Sequence, residues 1–421
     1  MEAQNQNRSV ERIQKSHFIV LTAAILGWLF DGFEMGLFPI VARPALLSMV
    51  GDMEGLDAFV GQWMGIVTAL FLVGAALGGW VFGWLGDRIG RVKAMSVSIL
   101  TYSLFTALGY FAQEPWHLGA FRFLAALGMG GEWSLGVALV MESWPERLRP
   151  LMAGIIGAAA NCGFLLVGWV ARIKDVTPDS WRWMWLVGGL PALLVFLIRL
   201  FVPESERWKR SVQKSPHHRP LIEVFSDGLL KNTCLAILFS SIALIGTWGS
   251  VQWIPVWVDQ LVGATQPTAK AEAGMIAAMG AILGCLAGPI IGGRIGRRPA
   301  YFGICFCALA FSGLLFRLDL SYDLKMKALI FLTGGAASAF YGWFPLYLPE
   351  LFPTRSRATG QGVAYNSGRL FAAAGAVAGG QLVAHFNGDY ARMGSVITLV
   401  YLIGMILIWF APETKGKPLP D

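Results

Sequence analysis

The segment Gly83-Trp-Leu-Gly-Asp-Arg-Ile-Gly-Arg91 decides the fold, because it fills a polar gap between two long apolar runs and recurs later in the chain. Its last part, Gly86-Asp-Arg-Ile-Gly-Arg91, recurs as Gly293-Arg-Ile-Gly-Arg297, which is one residue shorter and lacks the acidic position. The segments Glu142–Arg149 and Glu350–Arg357 also share a Glu-x-x-Pro-x-Arg-x-Arg pattern, at an offset of 208 residues. Several matches at nearly one offset indicate a duplicated unit.

The composition is that of an integral membrane protein. Of the 421 residues, 55% are hydrophobic and 14% are charged, whereas soluble domains carry roughly 25% charged residues. The net charge of +7 does not predict nucleic-acid binding, because the basic residues concentrate in short polar gaps between apolar runs, where the positive-inside rule places them. The sequence therefore predicts a multi-pass protein of the cell (inner) membrane, with the lipid bilayer as a partner and no nucleic acid.

Hydropathy over a window of about 19 residues predicts an all-α membrane protein with twelve transmembrane helices. The widest polar gap, a cytoplasmic central loop at 203–231, separates a six-helix bundle in 1–202 from another in 232–421. A parallel repeat of this kind builds a central site between two rocking halves. Lys and Arg are in excess in alternate gaps, which places both termini in the cytoplasm. The predicted spans are 18–42, 59–85, 92–112, 116–141, 150–173, 183–202, 232–262, 272–295, 299–317, 326–350, 358–386 and 393–411.

Catalytic and metal chemistry is not predicted. The five cysteines lie inside apolar runs, and the five histidines lie near predicted helix ends or in loops. Neither set has the spacing of a metal or redox site, and no Ser/His or Cys/His constellation is visible. We therefore expect no enzyme activity, no metal and no cofactor.

Gly83–Arg91, between the second and third predicted spans, resembles the signature loop of the major facilitator superfamily, and its second copy is similar to the repeat of that loop. Asp31-Gly-Phe-Glu34 is similar to the Asp-Gly-Phe-Asp element of the aromatic-acid and sialic-acid proton symporters, with Glu in place of the last Asp. Gly130-Gly-Glu-Trp133 and Glu142–Arg149 resemble the bacterial sialic-acid branch, which includes monocarboxylate carriers. The resemblance implies the fold of this superfamily (the MFS fold) and transport by alternating access.

Two acids, Asp31 and Glu34, lie in the first predicted span, where a charge costs roughly 2.5 to 3.5 kcal/mol or more. They are about 60° apart on a helix, and nearby buried carboxylates resist simultaneous ionisation. Asp31 is therefore predicted to carry the transported proton, with Glu34 as a helper. The resemblance implies that Arg122 of the fourth span faces Asp31; the alternative is that Arg122 snorkels to the outer interface. Glu132, deeper in that span, is either a second proton carrier or a packing acid.

Arg369 is the one basic residue well inside a predicted span of the second half. A permanently charged, planar guanidinium at mid-membrane suits a carboxylate; the alternative is an Arg bonded to helix-end carbonyls. Further polar and aromatic residues lie in spans that line the cavity of the resembled family. The predicted substrate-binding residues are Arg369, Asn366, Gln252, Trp253, Tyr341 and Asn161.

Asp87 lies at the inner end of the second span, where membrane topology does not call for an acid. With Arg88 and Arg91, it is predicted to pair with Glu142 and with the positive start of the eleventh helix. Such contacts would hold the cytoplasmic side shut while the outside is open. The predicted gating residues are Gly83, Asp87, Arg88, Gly90, Arg91, Glu142, Arg149, Glu350 and Arg357.

Together these residues favour a secondary active transporter that couples protons to the symport of a small organic anion, a carboxylate. We expect a monomer whose partners are the anion and protons. A sugar or polyol proton symporter is the alternative, because Pro203-Glu-Ser and Pro412-Glu-Thr echo sugar porters. Proton-coupled drug efflux by antiport is another, although the cationic Arg369 does not suit it. A membrane receptor on a transporter fold is disfavoured by the intramembrane charges.

Overall fold

The computed structural model describes residues 13–51, 56–214, 218–226, 228–262, 265–266, 268–318 and 321–421 as α-helices joined by short turns. Within these ranges, ten helices are long and apolar enough to cross a membrane. Residues 1–12 lie outside the described residues. The helices are α1 (Lys15–Val50), α2 (Leu56–Ile89), α3 (Arg91–Leu108), α4 (Pro115–Ser143), α5 (Arg149–Val170), α6 (Arg182–Gly189), α7 (Ala192–Phe201), α8 (Glu206–Lys214), α9 (Pro220–Val224), α10 (Leu230–Gly249), α11 (Ile254–Val262), α12 (Ala269–Ile295), α13 (Arg297–Arg317), α14 (Leu324–Leu351), α15 (Arg357–His385), α16 (Tyr390–Ile397) and α17 (Val400–Leu407).

The helix α1 carries the two acids of the first predicted span into the protein. It is 36 residues long, which at 1.5 Å per residue gives roughly 54 Å and exceeds a hydrocarbon core of about 30 Å. Asp31 and Glu34 are both buried in it. The helix thus extends past the bilayer and turns its carboxylates toward other helices rather than lipid.

Three of the predicted spans consist of two helical pieces. The span 183–202 is divided between α6 and α7 at Leu190 and Pro191, because proline has no N–H for the helical ladder. The span 232–262 is divided by a 3₁₀ turn at Val251–Trp253, and 393–411 is divided between α16 and α17. The predicted central loop also differs from expectation, because it contains the short helices α8 and α9.

Glycines allow the closest helix pairs to form. The pairs α2–α4 and α12–α14 make extensive contact, and α2–α15 and α5–α12 join the parts of the chain before and after the central gap. Gly130 of α4 lies against the backbone of Ala75, and Gly284 of α12 lies against the backbone of Gly335. Small residues are enriched at membrane helix interfaces because they let backbones approach closely.

We expect the Gly284→Leu substitution to lower the melting temperature of the detergent-purified protein. The new Cβ would meet the backbone of Gly335, and overpacking a well-packed interior costs about 1–3 kcal/mol. The matched control is Gly303→Leu in α13, since a Cβ on Gly303 meets no atom within 4 Å. Equal melting temperatures for the two variants would contradict this packing.

Candidate functional site

A central cavity of about 360 Å³ lies among α1, α2, α5, α10, α11, α12, α14 and α15. Its lining is largely apolar and aromatic, as is typical of small-molecule sites with a few placed polar groups. Four of the predicted substrate-binding residues line it: Arg369, Gln252, Tyr341 and Asn161. The predicted site is thus largely assembled in one cavity.

Asn366 and Trp253 are placed elsewhere. The Asn366 amide donates to the carbonyls of Gly130 at 3.1 Å and Gly362 at 3.0 Å. It therefore bonds α15 to α4, and its buried side chain fills the space beside α2. Trp253 stacks on Tyr390 with ring centroids 5.8 Å apart. Because α10 ends at Gly249 and a 3₁₀ turn follows, Trp253 does not keep the direction that a continuous helix would give it.

The guanidinium of Arg369 faces the cavity from α15. Its side chain is buried, and its carbon Cζ lies 5.5 Å from the ring centroid of Tyr365. In the described part of the chain, Nη1 of Arg369 has no hydrogen-bond partner. A buried donor without a partner is costly, so this nitrogen can donate to an acceptor that enters the cavity.

Arg122 pairs with Glu34, and this corrects the implied pairing of Arg122 with Asp31. The Arg122 guanidinium donates to the Glu34 carboxylate and, at 3.3 Å, to the Glu34 carbonyl. Its carbon Cζ also lies 4.4 Å from the ring of Phe71 and 5.3 Å from that of Phe38. Both charged side chains are buried, so Arg122 does not snorkel to the interface.

Asp31 lies beside Glu132 instead. Their carboxyl groups are within hydrogen-bonding reach of each other, and the Glu132 carboxyl also packs on Gly27, one turn before Asp31. Among the described residues, none donates a hydrogen bond to any of the four carboxyl oxygens. Arg369 acts electrostatically on Asp31. Arg369 lines the cavity, whereas the two acids are not among the residues that line it.

Four of the predicted gating residues form a second, buried cluster: Asp87, Arg91, Glu142 and Arg357. Arg91 donates to Asp87 at 2.6 Å and to Glu142 at 3.0 Å, and also to the carbonyl of Thr354 at 2.7 Å. Arg357 donates to the same Glu142 oxygen at 3.0 Å. Glu142 thus joins an arginine of α3 to an arginine of α15, across the two halves of the chain.

Asp87 caps the start of α15. Its oxygens accept the backbone N–H groups of Ala358 at 3.3 Å and Thr359 at 2.8 Å, and the Thr359 hydroxyl at 2.6 Å. A carboxylate at a helix N-terminus is favoured by the free N–H groups and the helix dipole. Gly83, one turn earlier, lies against the Ala358 backbone. Arg88 points away: it is exposed, with Cζ 5.6 Å from the Trp84 ring.

These observations can be set beside known proteins. A sequence model of the Major Facilitator Superfamily matches residues 24–376. The chain belongs to this superfamily. It is therefore a secondary transporter and not an enzyme, and a multi-pass protein of the inner membrane.

Two curated relatives are named for organic-acid transport. The chain is 31% identical over 402 residues to the probable 4-methylmuconolactone transporter of Cupriavidus pinatubonensis, covering 94% of this chain and 90% of that one. It is 28% identical over 369 residues to the cis,cis-muconate transport protein of Acinetobacter baylyi, covering 84% and 86%. Among solved structures, the proton:xylose symporter XylE matches with a TM-score of 0.78 over 96% of this chain and 97% of that one, at 19% identity. That likeness supports the fold alone.

The duplicated sequence of the transporter folds into duplicated contacts. Arg297 donates to Glu350 at 2.6 Å, as Arg91 does to Glu142 at 3.0 Å. The N–H groups at the start of α3 donate to Glu204, and those at the start of α13 donate to Glu413. The repeated Pro-Glu-Ser and Pro-Glu-Thr segments therefore supply helix caps.

The turns before α3 and α13 share one conformation. Gly90 has a φ of 108° and Gly296 a φ of 110°, a region that side chains disfavour. Partial burial opposes ionisation of Glu413 beside the second turn, but the backbone N–H groups of Arg297 and Arg298 hold the pKa of this carboxyl below its ordinary value. The glycine and the acid thus fix the entry to each helix.

Sequence reasoning missed several residues that line the cavity. Tyr365 was detectable, because it lies one turn before Arg369 on the same face of α15. Trp28 lies three residues before Asp31 on α1, and its ring is 6.4 Å from that of Trp133. Thr247 and Ser338 also line the cavity, and no sequence signal separates them from other small polar residues of α10 and α14.

We expect Asp87→Asn to loosen the contact between α2 and α15. An amide has one acceptor oxygen, so its NH₂ group would face either the Arg91 guanidinium or the Thr359 N–H. Breaking a buried charge pair costs about 3–5 kcal/mol, which lowers the melting temperature and speeds hydrogen exchange at the Thr359 amide. Glu206→Gln is the control, because that acid forms an exposed pair with Lys209 and its loss should change neither quantity. Unaltered exchange at Thr359 in the Asp87 variant would refute this role.

Proposed function

We propose that the transporter couples proton movement to the symport of a small organic anion, a carboxylate, by alternating access. The observation that carries the proposal is the cavity-facing guanidinium of Arg369, with Nη1 unpartnered in the described chain and with an electrostatic effect on Asp31. A carboxylate at Arg369 would supply the missing acceptor. The acids beside it would bind the proton that moves with the anion.

The lining of the cavity supports a substrate whose carboxylate is attached to an unsaturated or otherwise flat apolar skeleton. Trp28, Phe71, Tyr341 and Tyr365 surround the space beside Arg369. Aromatic walls contribute apolar contact area, and only Asn161, Thr247, Gln252 and Ser338 add neutral polar groups apart from tyrosine and tryptophan. The names of the two curated relatives point to the same class of compound. A polyhydroxylated sugar would leave more hydroxyl groups unpaired.

The proton is proposed to reside on the Asp31–Glu132 pair. Two ionised carboxylates in contact repel each other, and burial disfavours both charges. One proton shared between them removes the repulsion and allows a direct hydrogen bond. The pair of Arg122 with Glu34 is already neutral overall, so its proposed role is to position α4 against α1 beside the proton site.

We further propose that the chain crosses the membrane twelve times, with α6 and α7 together as the sixth crossing and α15 as the eleventh. The helix α15 has 29 residues, roughly 43 Å of helix. Residues 1–202 and 232–421 would form the two bundles, in a monomer with both termini in the cytoplasm. The buried Asp87–Glu142 cluster would then close the cytoplasmic side. Cavity residues 274–281 lie in the first half of α12, away from the predicted cytoplasmic end of that helix.

An Asp31→Asn protein is expected to lose proton-driven accumulation while keeping substrate exchange, because Asn has a similar shape but takes up no proton. The substrate is first chosen by a thermal-shift screen of purified protein against carboxylates that include cis,cis-muconate, and against neutral sugars. Uptake of the radiolabelled compound is then measured in proteoliposomes with and without an imposed pH gradient.

The control for that experiment is Asp259→Asn, which removes an exposed acid paired with Lys270 at 3.6 Å. It should accumulate substrate as the unmodified protein does. Accumulation by the Asp31 variant on a pH gradient would rule out Asp31 as the required proton carrier.

Arg369→Gln is expected to weaken carboxylate binding about tenfold or more, because it removes a charge-assisted hydrogen bond from a buried site. Arg369→Lys should lose less carboxylate affinity than Arg369→Gln. Titration calorimetry with the carboxylate from the screen measures both. Arg317→Gln is the control, since that guanidinium donates to the Ser395 carbonyl at 2.7 Å and does not line the cavity. Unchanged carboxylate affinity in Arg369→Gln would contradict the proposed role of Arg369. A selective response to sugars in the screen would favour the sugar-symporter alternative.

A further inference from the structure

A second cavity, of about 540 Å³, lies on the same side of the molecule as the Asp87 cluster. It is bordered by residues 146–151 before α5 and at its start, by residues 290–297 at the end of α12, and by residues 415–417 near the C-terminus. It therefore sits at a contact between the two halves of the chain. We call this contact the second seam, and the contact of Asp87 with α15 the first seam.

The duplication makes the two seams directly comparable. In the first seam, Asp87 accepts the N–H groups of Ala358 and Thr359. Counted back from the equivalent turn glycines Gly296 and Gly90, Gly293 of the second seam occupies the position of Asp87, and Pro150 occupies that of Ala358. Glycine has no carboxylate, and proline has no N–H to donate. A Cβ on Gly293 would lie 2.8 Å from Cγ of Pro150, so the helices meet here through apolar contact.

The arginines of the two seams are also paired differently. Arg357 reaches across the first seam to Glu142 at 3.0 Å. Its counterpart Arg149 donates to Glu146 at 3.1 Å and to the Met141 carbonyl at 3.0 Å, both on its own side of the second seam. Glu350, the counterpart of Glu142, is held by Arg297. Within the described residues, Arg149 thus donates no hydrogen bond to a carboxylate of the opposite half, and Glu350 acts on it only electrostatically.

The charge around the second cavity is strongly positive. Its two acids, Glu146 and Glu350, are already engaged by arginines, and six basic residues line the same space. A low-dielectric cleft lined by one sign of charge concentrates ions of the opposite sign. The basic residues are Arg147, Arg149, Arg294, Arg297, Lys415 and Lys417.

We propose that this cavity binds a multiply charged, phosphate-bearing anion, which supplies across the second seam the negative charge that Asp87 supplies across the first. Arginine forks and lysine ammonium groups are the usual protein ligands of phosphate. Because Arg147 and Arg149 come from one half and Arg294 and Lys415 from the other, a single anion contacts both. It thereby holds the seam closed. The proposal rests on the proposed function for one point, that this face is cytoplasmic.

The test uses the full-length protein and needs no transport. Pyrophosphate is the soluble probe, added to detergent-purified protein at constant ionic strength set with NaCl, and the melting temperature and calorimetric affinity are measured. The lipid arm compares the melting temperature in phosphatidylcholine nanodiscs with and without phosphatidic acid. A rise with pyrophosphate alone assigns the site to a soluble anion, and a rise with phosphatidic acid alone assigns it to a lipid headgroup.

The variant is Arg147→Gln/Arg294→Gln, which removes one exposed cation from each side of the second seam. It is expected to bind the effective probe about tenfold more weakly or worse, since each lost charge removes a charge-assisted hydrogen bond. Arg88→Gln is the matched control, because Arg88 is the counterpart of Arg294 at the first seam, is exposed, and does not line the cavity. It should bind as the unmodified protein does.

Two outcomes would overturn the proposal. One is that neither probe raises the melting temperature at constant ionic strength. The other is that the double variant and Arg88→Gln respond equally, which indicates nonspecific charge attraction. Since both arms measure binding, they remain informative if proton-driven uptake of a carboxylate is not observed. Lys417→Gln gives a second reading if the double variant fails to purify as a folded protein.

Discussion

The pairing of buried charges governs this structure. An ion that leaves water for a protein interior loses roughly several kcal/mol of solvation free energy. A charged partner must compensate for that loss. Arg122 with Glu34, and Arg91 with Glu142, satisfy that requirement with partners from distant segments, and Arg91 also pairs with Asp87 four residues earlier. Each pair therefore also fixes which helices pack together. The carboxyl groups of Asp31 and Glu132 depart from this rule, since no described residue donates a hydrogen bond to them, and the proposed function places the proton there.

Much of the architecture could be predicted from the sequence because it is local or repeated. The apolar runs fix the helices, and the duplicated glycine and glutamate positions recur as duplicated turns and caps at Gly90 and Gly296. The breaks at Pro191 and after Gly249 were less accessible, since hydropathy averages over them. The direction of Trp253 depends on such a break, so its position relative to the cavity could not be read from helical periodicity.

Arg122 pairs with Glu34 rather than with Asp31 for a simple geometric reason. The predicted directions make α1 and α4 antiparallel, and Glu34 lies about 4.5 Å further along α1 than Asp31. Arg122 precedes Glu132 by ten residues on α4, about 15 Å. The outer acid therefore meets the outer cation, and the inner two acids meet each other. Angular separation alone suggested that both acids share a face, but the register between the helices determined their partners.

This register has a consequence for the proposed coupling. Arg122 is paired with Glu34, whereas Arg369 acts electrostatically on Asp31 and also lines the cavity. An anion that binds Arg369 neutralises part of its attraction for a negative Asp31, and so favours a proton on the Asp31–Glu132 pair. A proton on that pair, in turn, leaves Arg369 free to attract the anion. Binding linkage makes the two effects equal in free energy. In the proposed coupling, one arginine shared between substrate and acid pair would make anion and proton bind together without a separate relay.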